Sequence, residues 1–315
     1  MKVSIVVPCY RSARTLGELV TQVTEVLDSP AQSARVEAFE IVLIVDGSPD
    51  DTADVALALA RSNPHVRTLE LMRNYGQHNA LLAGIMAARH DVIVTMDDDL
   101  QHRASDVPKL LAALEEQGVD LVYGVAAHEE HAFLRSWASR SVKRVLAKMG
   151  VANASDISAF RAFRSELREA MHITHDPHIS IDVLLSWATT REARVTVDMD
   201  RRADGVSGYR FSTLVRHSLN MVTGYTTTPL RLVTILGMAA AGLGVLLFVY
   251  VLVGYLVGYI TAVGYTSIIA AIAVFSGTQL ISLGILGEYL ARVHERAMRR
   301  PSYLIRRDSA DDAVR

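Results

Sequence analysis

Cysteine is almost missing from this chain of 315 residues. Cys9 is the single example, so no disulfide can form within the chain, which fits a reducing compartment. It follows an apolar run, where a small packing residue and a nucleophile are both open readings. Net charge is also small, −2 from 32 Lys and Arg against 34 Asp and Glu, which leaves out the basic excess of a dedicated nucleic-acid binder. No apolar segment with a small-residue cleavage site opens the sequence. Met1–Tyr10 reads as a strand, so no secretory signal is expected. Internal repeats and low-complexity tracts are lacking as well.

The next absence is local. Leu232 to Gly287 contains no charged residue, and half of the chain as a whole is hydrophobic with a mean hydropathy of +0.22, high for a soluble protein of this size. Two spans of about 20 residues, the length a bilayer core requires, fit at Leu232–Leu256 and Val263–Gly287. Both are rich in Gly and Ala, which permit close helix approach in lipid. A buried hairpin in a soluble core is the alternative. The connection Val257–Ala262 is only a turn, so both outer ends face one side. Arg231 precedes the first span, and Arg292, Arg296, Arg299, Arg300, Arg306 and Arg307 follow the second, which marks that side as cytoplasmic. The expected organisation is a cytoplasmic domain at 1–210, an amphipathic juxtamembrane segment at 211–231, a two-helix hairpin at 232–287 and a basic tail at 288–315. The tail's end, Asp308–Arg315, is expected to be disordered.

Residues 1–125 alternate between two periods. Apolar runs at Val3–Val7, Glu40–Val45, Val66–Leu71, Val92–Met96 and Leu121–Val125 read as buried strands. Helical patterns at Thr15–Leu27, Thr52–Arg61, Asn79–Ala88 and Val107–Gln117 separate them. This order predicts an α/β, Rossmann-like, mostly parallel sheet with ligands beyond the carboxyl ends of its strands.

Polar clusters fall at those ends. Asp97-Asp98-Asp99-Leu100-Gln101 follows one strand directly. Adjacent carboxylates repel each other and persist where a cation neutralises them. If the strand continues, alternate side chains share a side, and Asp97, Asp99 and Gln101 converge on one point. Oxygen ligands suit Mg²⁺ or Mn²⁺, and such an ion stabilises a departing diphosphate. A solvated acidic loop capping the next helix is the competing explanation. Asp46-Gly47-Ser48-Pro49-Asp50-Asp51-Thr52 reads by itself as a turn with a helix cap. Its functional alternative has Asp46 bind the base or ribose of a nucleotide.

Val7-Pro8-Cys9-Tyr10, Asp46-Gly47-Ser48, Asn74-Tyr75-Gly76 and Asp97-Asp98-Asp99-Leu100-Gln101-His102, in that order, resemble the family 2 glycosyltransferases of GT-A fold. Ser158-Ala159-Phe160-Arg161, Arg202-Ala203-Asp204-Gly205-Val206-Ser207-Gly208-Tyr209, Thr228-Pro229-Leu230-Arg231 and Gly287-Glu288-Tyr289-Leu290-Ala291-Arg292 extend the likeness. They point to the polyprenyl-phosphate branch, which includes dolichyl-phosphate mannose synthase and bactoprenol glucosyltransferase. The resemblance implies that Asp97, Asp99 and Gln101 hold a divalent metal. It further implies that Pro8, Tyr10, Asp46 and Asp98 meet the nucleotide-sugar donor, and that Arg161 and Arg202 meet phosphate oxygens with Ser207 nearby. Asp156 is a candidate for orienting the acceptor or a sugar hydroxyl, with a structural cap as the other reading. The implied reaction inverts the anomeric centre as a sugar passes to a polyprenyl phosphate of the undecaprenyl type. The implied setting is the cytoplasmic face of the inner membrane, in a homo-oligomer, with a tetramer among the candidate states and a flippase among the candidate partners.

Three departures accompany the likeness. Val45 stands where many relatives have a second acid, Arg103-Ala104 where many have two prolines, and Ala126-Ala127 where many have an arginine. The last removes a possible phosphate contact and keeps open a catalytically inactive scaffold, beside a transferase with a non-lipid acceptor. A processive polysaccharide synthase is disfavoured, since neither Trp137 nor Trp187 completes a Gln-x-x-Arg-Trp motif. Phe211–Thr227 separates a polar from an apolar face at helical spacing, as expected of a helix lying on a bilayer or of a packed connector.

Overall fold

A computed structural model of the protein describes residues 1–32, 34–126, 158–172, 180–200, 228–258, 264–298 and 300–312. The chain divides into two compact units. One comprises Met1–Arg144, Ala152–Gly208 and Arg299–Arg315, the other Val145–Val151 and Tyr209–Met298.

The first unit contains β1 (Lys2–Cys9), α1 (Leu16–Leu27), β2 (Ala38–Val45), α2 (Thr52–Ser62), β3 (Val66–Leu71), α3 (Gln77–Ala87), β4 (Val92–Thr95), α4 (Val107–Glu116) and β5 (Leu121–Ala126). The expected order of strands and helices is present, with α3 starting two residues earlier than its periodicity implies. Then follow β6 (Arg161–Arg164), α5 (Glu169–His172), α6 (Ile181–Ala188) and β7 (Glu192–Val197), none of which the apolar pattern marked. With β8 (Ile305–Asp308) near the C-terminus, the sheet order is β7-β5-β6-β4-β1-β2-β3-β8. Pairings of β1 with β2 and β4, of β2 with β3, and of β5 with β7 are parallel. Strand β6 runs against both β4 and β5.

Buried residues alternate between the two faces, as the pleat demands. Ile5 and Val7 of β1 join α1 and α4 in one core, whereas Val6 joins α3 and α6 in the other. The central strands therefore read as unbroken apolar runs, since both faces are covered.

The C-terminus departs from expectation. Strand β8 (Ile305–Asp308) pairs antiparallel with β3, and a turn of helix, Ser309–Asp312, follows it. Residues 305–312 are thus part of the sheet unit rather than a free tail, because β3 would otherwise leave an unpaired edge. Arg306 pairs with Glu70 at 3.0 Å, and Tyr303 packs on the core beside α3.

The second unit consists, among the described residues, of two helices, α7 (Thr228–Leu256) and α8 (Tyr265–Ala297). A Cβ on Gly244 would stand 3.0 Å from the Phe275 ring, so glycine is what lets the ring approach. Large side chains point outward, with Leu236, Leu246 and Leu280 each more than half exposed. Among the described residues no helix is long and apolar enough to cross a membrane. The two helices span 29 and 33 residues.

Candidate active site

A cleft of about 250 Å³ opens at the carboxyl ends of β1, β2 and β4, where a doubly wound sheet leaves room between diverging loops. Pro8, Cys9, Tyr10, Asp46, Asn74, Gly76, Gln77, Asp97, Asp98 and Asp99 line it.

Asp46 directly follows β2 and is 3% exposed. Its two carboxylate oxygens accept the backbone N–H groups of Tyr75 at 2.7 Å and Gly76 at 2.8 Å. Burial raises its pKa, and these two hydrogen bonds oppose the rise. Gly47 continues the turn at φ 55°, and a Cβ there would lie 2.3 Å from the backbone of Arg73. Glycine is therefore required for the two loops to touch. Asp46 serves as the brace of the Asn74-Tyr75-Gly76 loop while also lining the cleft.

The three acids are used differently. Asp97 Oδ1 accepts a hydrogen bond from Gln77 Nε2 at 2.7 Å. Asp98 Oδ2 accepts the Tyr10 N–H at 3.2 Å and a close hydroxyl contact from Ser12. Burial raises the Asp98 pKa, and the Ser12 and Tyr10 bonds counter this. Asp99 Oδ1 accepts the Gln101 N–H at 3.1 Å in a local turn.

The alternation expected of a continuing strand does not hold here. Strand β4 stops at Thr95, and Leu100 adopts φ 61°. Asp97, Asp98 and Asp99 all reach the cleft, while Gln101, past that turn, does not line it. Among the described residues no group of three His, Cys, Asp or Glu side chains could by itself enclose a metal. Asp98 accepts bonds from Tyr10 and Ser12, and Asp97 and Asp99 are the pair of cleft carboxylates that the sequence assigns to a metal. Magnesium-type sites commonly use one or two carboxylates and fill the shell with substrate phosphates and water, so this pair fits an ion of that kind.

Arg161, expected to meet a phosphate, is 1% exposed and paired with Asp182. The β6 register brings it into the sheet interior opposite Thr95. Pro8 and Tyr10 lie in the cleft as expected. Asp156, Arg202 and Ser207 lie outside the described residues.

Ser12, Thr95 and Asp182 had no signal in the sequence strong enough to single them out. Gln77 alone could have been found, since it directly follows the Asn-Tyr-Gly segment. His102 is 5% exposed and stacks on Phe160 with ring centroids 5.1 Å apart. Burial lowers its pKa, which favours the neutral ring.

The glycosyl transferase family 2 profile matches residues 4–178. The undecaprenyl-phosphate 4-deoxy-4-formamido-L-arabinose transferase of Shewanella sediminis (strain HAW-EB3) is 33% identical over 307 residues, covering 96% of this chain and 91% of its own. The enzyme of that name from Yersinia enterocolitica serotype O:8 is 33% identical over 310 residues, at 97% and 93% coverage. In fold, the chain is similar to Mycobacterium tuberculosis glucosyl-3-phosphoglycerate synthase, crystallised with Mn²⁺ and UDP-glucose. The TM-score is 0.50 at 17% identity, over 70% of this chain and 77% of that one. A profile match across the strands that build the cleft, together with near full-length relatives, makes this chain a member of glycosyl transferase family 2.

Proposed function

We propose that the protein transfers a sugar from a nucleotide-diphosphate sugar to an undecaprenyl-type phosphate, with inversion, giving a polyprenyl-phosphate-linked monosaccharide. The observation that carries this reading is the near full-length similarity to undecaprenyl-phosphate sugar transferases, which spans the cleft domain and the two long helices together. The relatives make 4-deoxy-4-formamido-L-arabinose a sugar to test first.

In this reading the donor lies in the cleft against Pro8, Tyr10 and Asp46. Asp97 and Asp99 are the residues that hold Mg²⁺ or Mn²⁺. The chemistry such an ion supplies when bound is neutralisation of charge on the leaving diphosphate. An oxygen of the acceptor phosphate, already an anion at neutral pH, attacks the anomeric carbon. The bond from that carbon to the diphosphate oxygen breaks, and its electron pair leaves with the nucleoside diphosphate. No strong general base is required, so alignment of two anions is the main burden. The family resemblance assigns phosphate contacts to Arg202, with Ser207 nearby. Asp156 remains a candidate for orienting the acceptor.

Helices α7 and α8 are proposed to anchor the protein as a membrane hairpin with the sheet domain on the cytoplasmic side. The absence of charge from Leu232 to Gly287 and the arginines outside it support this reading. Residues 211–231 form the proposed juxtamembrane segment that leads the lipid phosphate to the cleft.

The test is transfer by the purified protein in detergent, with undecaprenyl phosphate, Mg²⁺ or Mn²⁺ and a panel of UDP-, GDP- and dTDP-sugars. A lipid product that needs the metal and is lost in Asp99→Ala is expected. Donor hydrolysis without lipid product would move the acceptor elsewhere.

A further inference from the structure

Strand β6 enters the sheet between β4 and β5, and its register sets Arg161 opposite Thr95 on one side and Tyr123 on the other. The Arg161 Nε donates to Thr95 Oγ1 at 3.0 Å, and Nη1 donates to a carboxylate oxygen of Asp182. Asp182 lies in the first turn of α6 and is 8% exposed. The Thr95 hydroxyl in turn donates to the carbonyl of Ala159 at 2.7 Å. One guanidinium therefore ties β4, β6 and α6 together.

Thr95 is the last residue of β4, two positions before Asp97. A second connection reaches Asp97 from α3, through Gln77. The residue after Gln77, His78, faces the Ile181 N–H at 3.5 Å through its Nδ1, beside Asp182. Asp97 is thus braced from its own strand and from α3, and both braces meet at the start of α6.

A buried ion pair is a poor device for stability alone, because apolar side chains of similar volume usually serve as well. What they cannot supply is a directed set of hydrogen bonds and a positive charge behind the acidic strand end. A guanidinium with 1% exposure cannot reach a ligand in the cleft.

We propose that Arg161 is a positioning residue, which with Asp182 and Thr95 fixes the end of β4 so that Asp97 and Asp99 present their carboxylates to the donor. It acts on the donor half of the site and touches neither substrate. This inference rests on the cleft being the donor and metal site.

The test uses the full chain in detergent, with Mn²⁺ binding read from the EPR signal of the free ion, beside KM values for donor and acceptor. Arg161→Met/Asp182→Leu removes both charges while keeping the volume apolar. The expected result is cooperative unfolding near the wild-type midpoint, Mn²⁺ affinity down by about tenfold or more, as for other residues that orient metal ligands, a raised donor KM and an unchanged acceptor KM. Arg161→Lys should recover part of the affinity. Should the double variant not unfold cooperatively, Thr95→Val decides by the same readouts. Wild-type Mn²⁺ affinity and donor KM in these variants would make the pair merely structural. A raised acceptor KM alone would return Arg161 to the acceptor phosphate. Wild-type Mn²⁺ binding by Asp97→Asn would sink the metal-site reading itself and this inference with it.

Discussion

Arg67 on β3 and Asp308 on β8, 241 positions apart, form a two-point ion pair, with Arg67 Nε 3.0 Å from Asp308 Oδ1 and Nη2 bonded to Oδ2. Both side chains are about 15% exposed, and Arg67 also donates to the carbonyl of Ala87 at 2.9 Å. The pair fastens the strand that follows the long helices to the edge of the catalytic sheet.

Arg67→Ala should therefore destabilise the sheet unit by about 2 kcal/mol, the scale of charged hydrogen bonds with one partner removed. Burial would raise the Asp308 carboxyl, but the hydrogen bonds from Arg67 and the Ala310 N–H outweigh it and hold the pKa below its usual value. A depressed carboxylate contributes stability that is present above the unfolded pKa of about 3.9 and is lost as pH falls through the folded one. Asp308→Asn should lower the melting temperature at pH 7 and flatten the loss of stability below about pH 4. Thermal unfolding from pH 7 to pH 3 checks both.

Asp46→Asn replaces one of two acceptors with an amide N–H facing a backbone N–H. The Tyr75–Gly76 loop should shift, and the donor KM should rise by about tenfold or more, the cost of one charged hydrogen bond. Steady-state kinetics at saturating acceptor reads this, and a change confined to kcat would contradict it.

Gly47→Ala places a methyl 2.3 Å from the Arg73 carbonyl carbon at φ 55°. Backbone rather than a flexible side chain stands in the way, so the two loops must part. The expected cost is about 2–3 kcal/mol, with loss of donor binding. Its melting temperature and donor titration should fall together.

Asp99→Ala removes a cleft carboxylate that accepts the Gln101 N–H in a local turn. Stability should change by less than about 1 kcal/mol, while transfer falls at least about a hundredfold. EDTA should abolish wild-type transfer, and Mg²⁺ or Mn²⁺ should restore it. Wild-type activity in EDTA would rule the metal out.

Residues 1–125 were legible because each strand and helix carries its own period, and because β1–β4 have both faces buried. Val3–Val7 or Val92–Met96 need no partner to announce themselves. Strands β6, β7 and β8 are mixed in polarity, and each carries arginine inside it. They exist through pairing, and pairing with residues far along the chain leaves no local pattern.

The cleft divides the same way. The sequence by itself determined that carboxylates stand at the ends of β2 and β4, since polar residues that interrupt an apolar strand mark where it leaves the core. Only the tertiary structure decided what each of them touches. Asp98 is drawn to Tyr10 and Ser12, Asp46 braces a loop 29 residues away, and Leu100 turns the chain before Gln101 can face the cleft. Arg161 reads in sequence as a cation for phosphate, but an antiparallel register places it against Thr95 and Asp182. A hydrogen bond depends on which strand ends lie side by side, and that is a property of the assembled sheet.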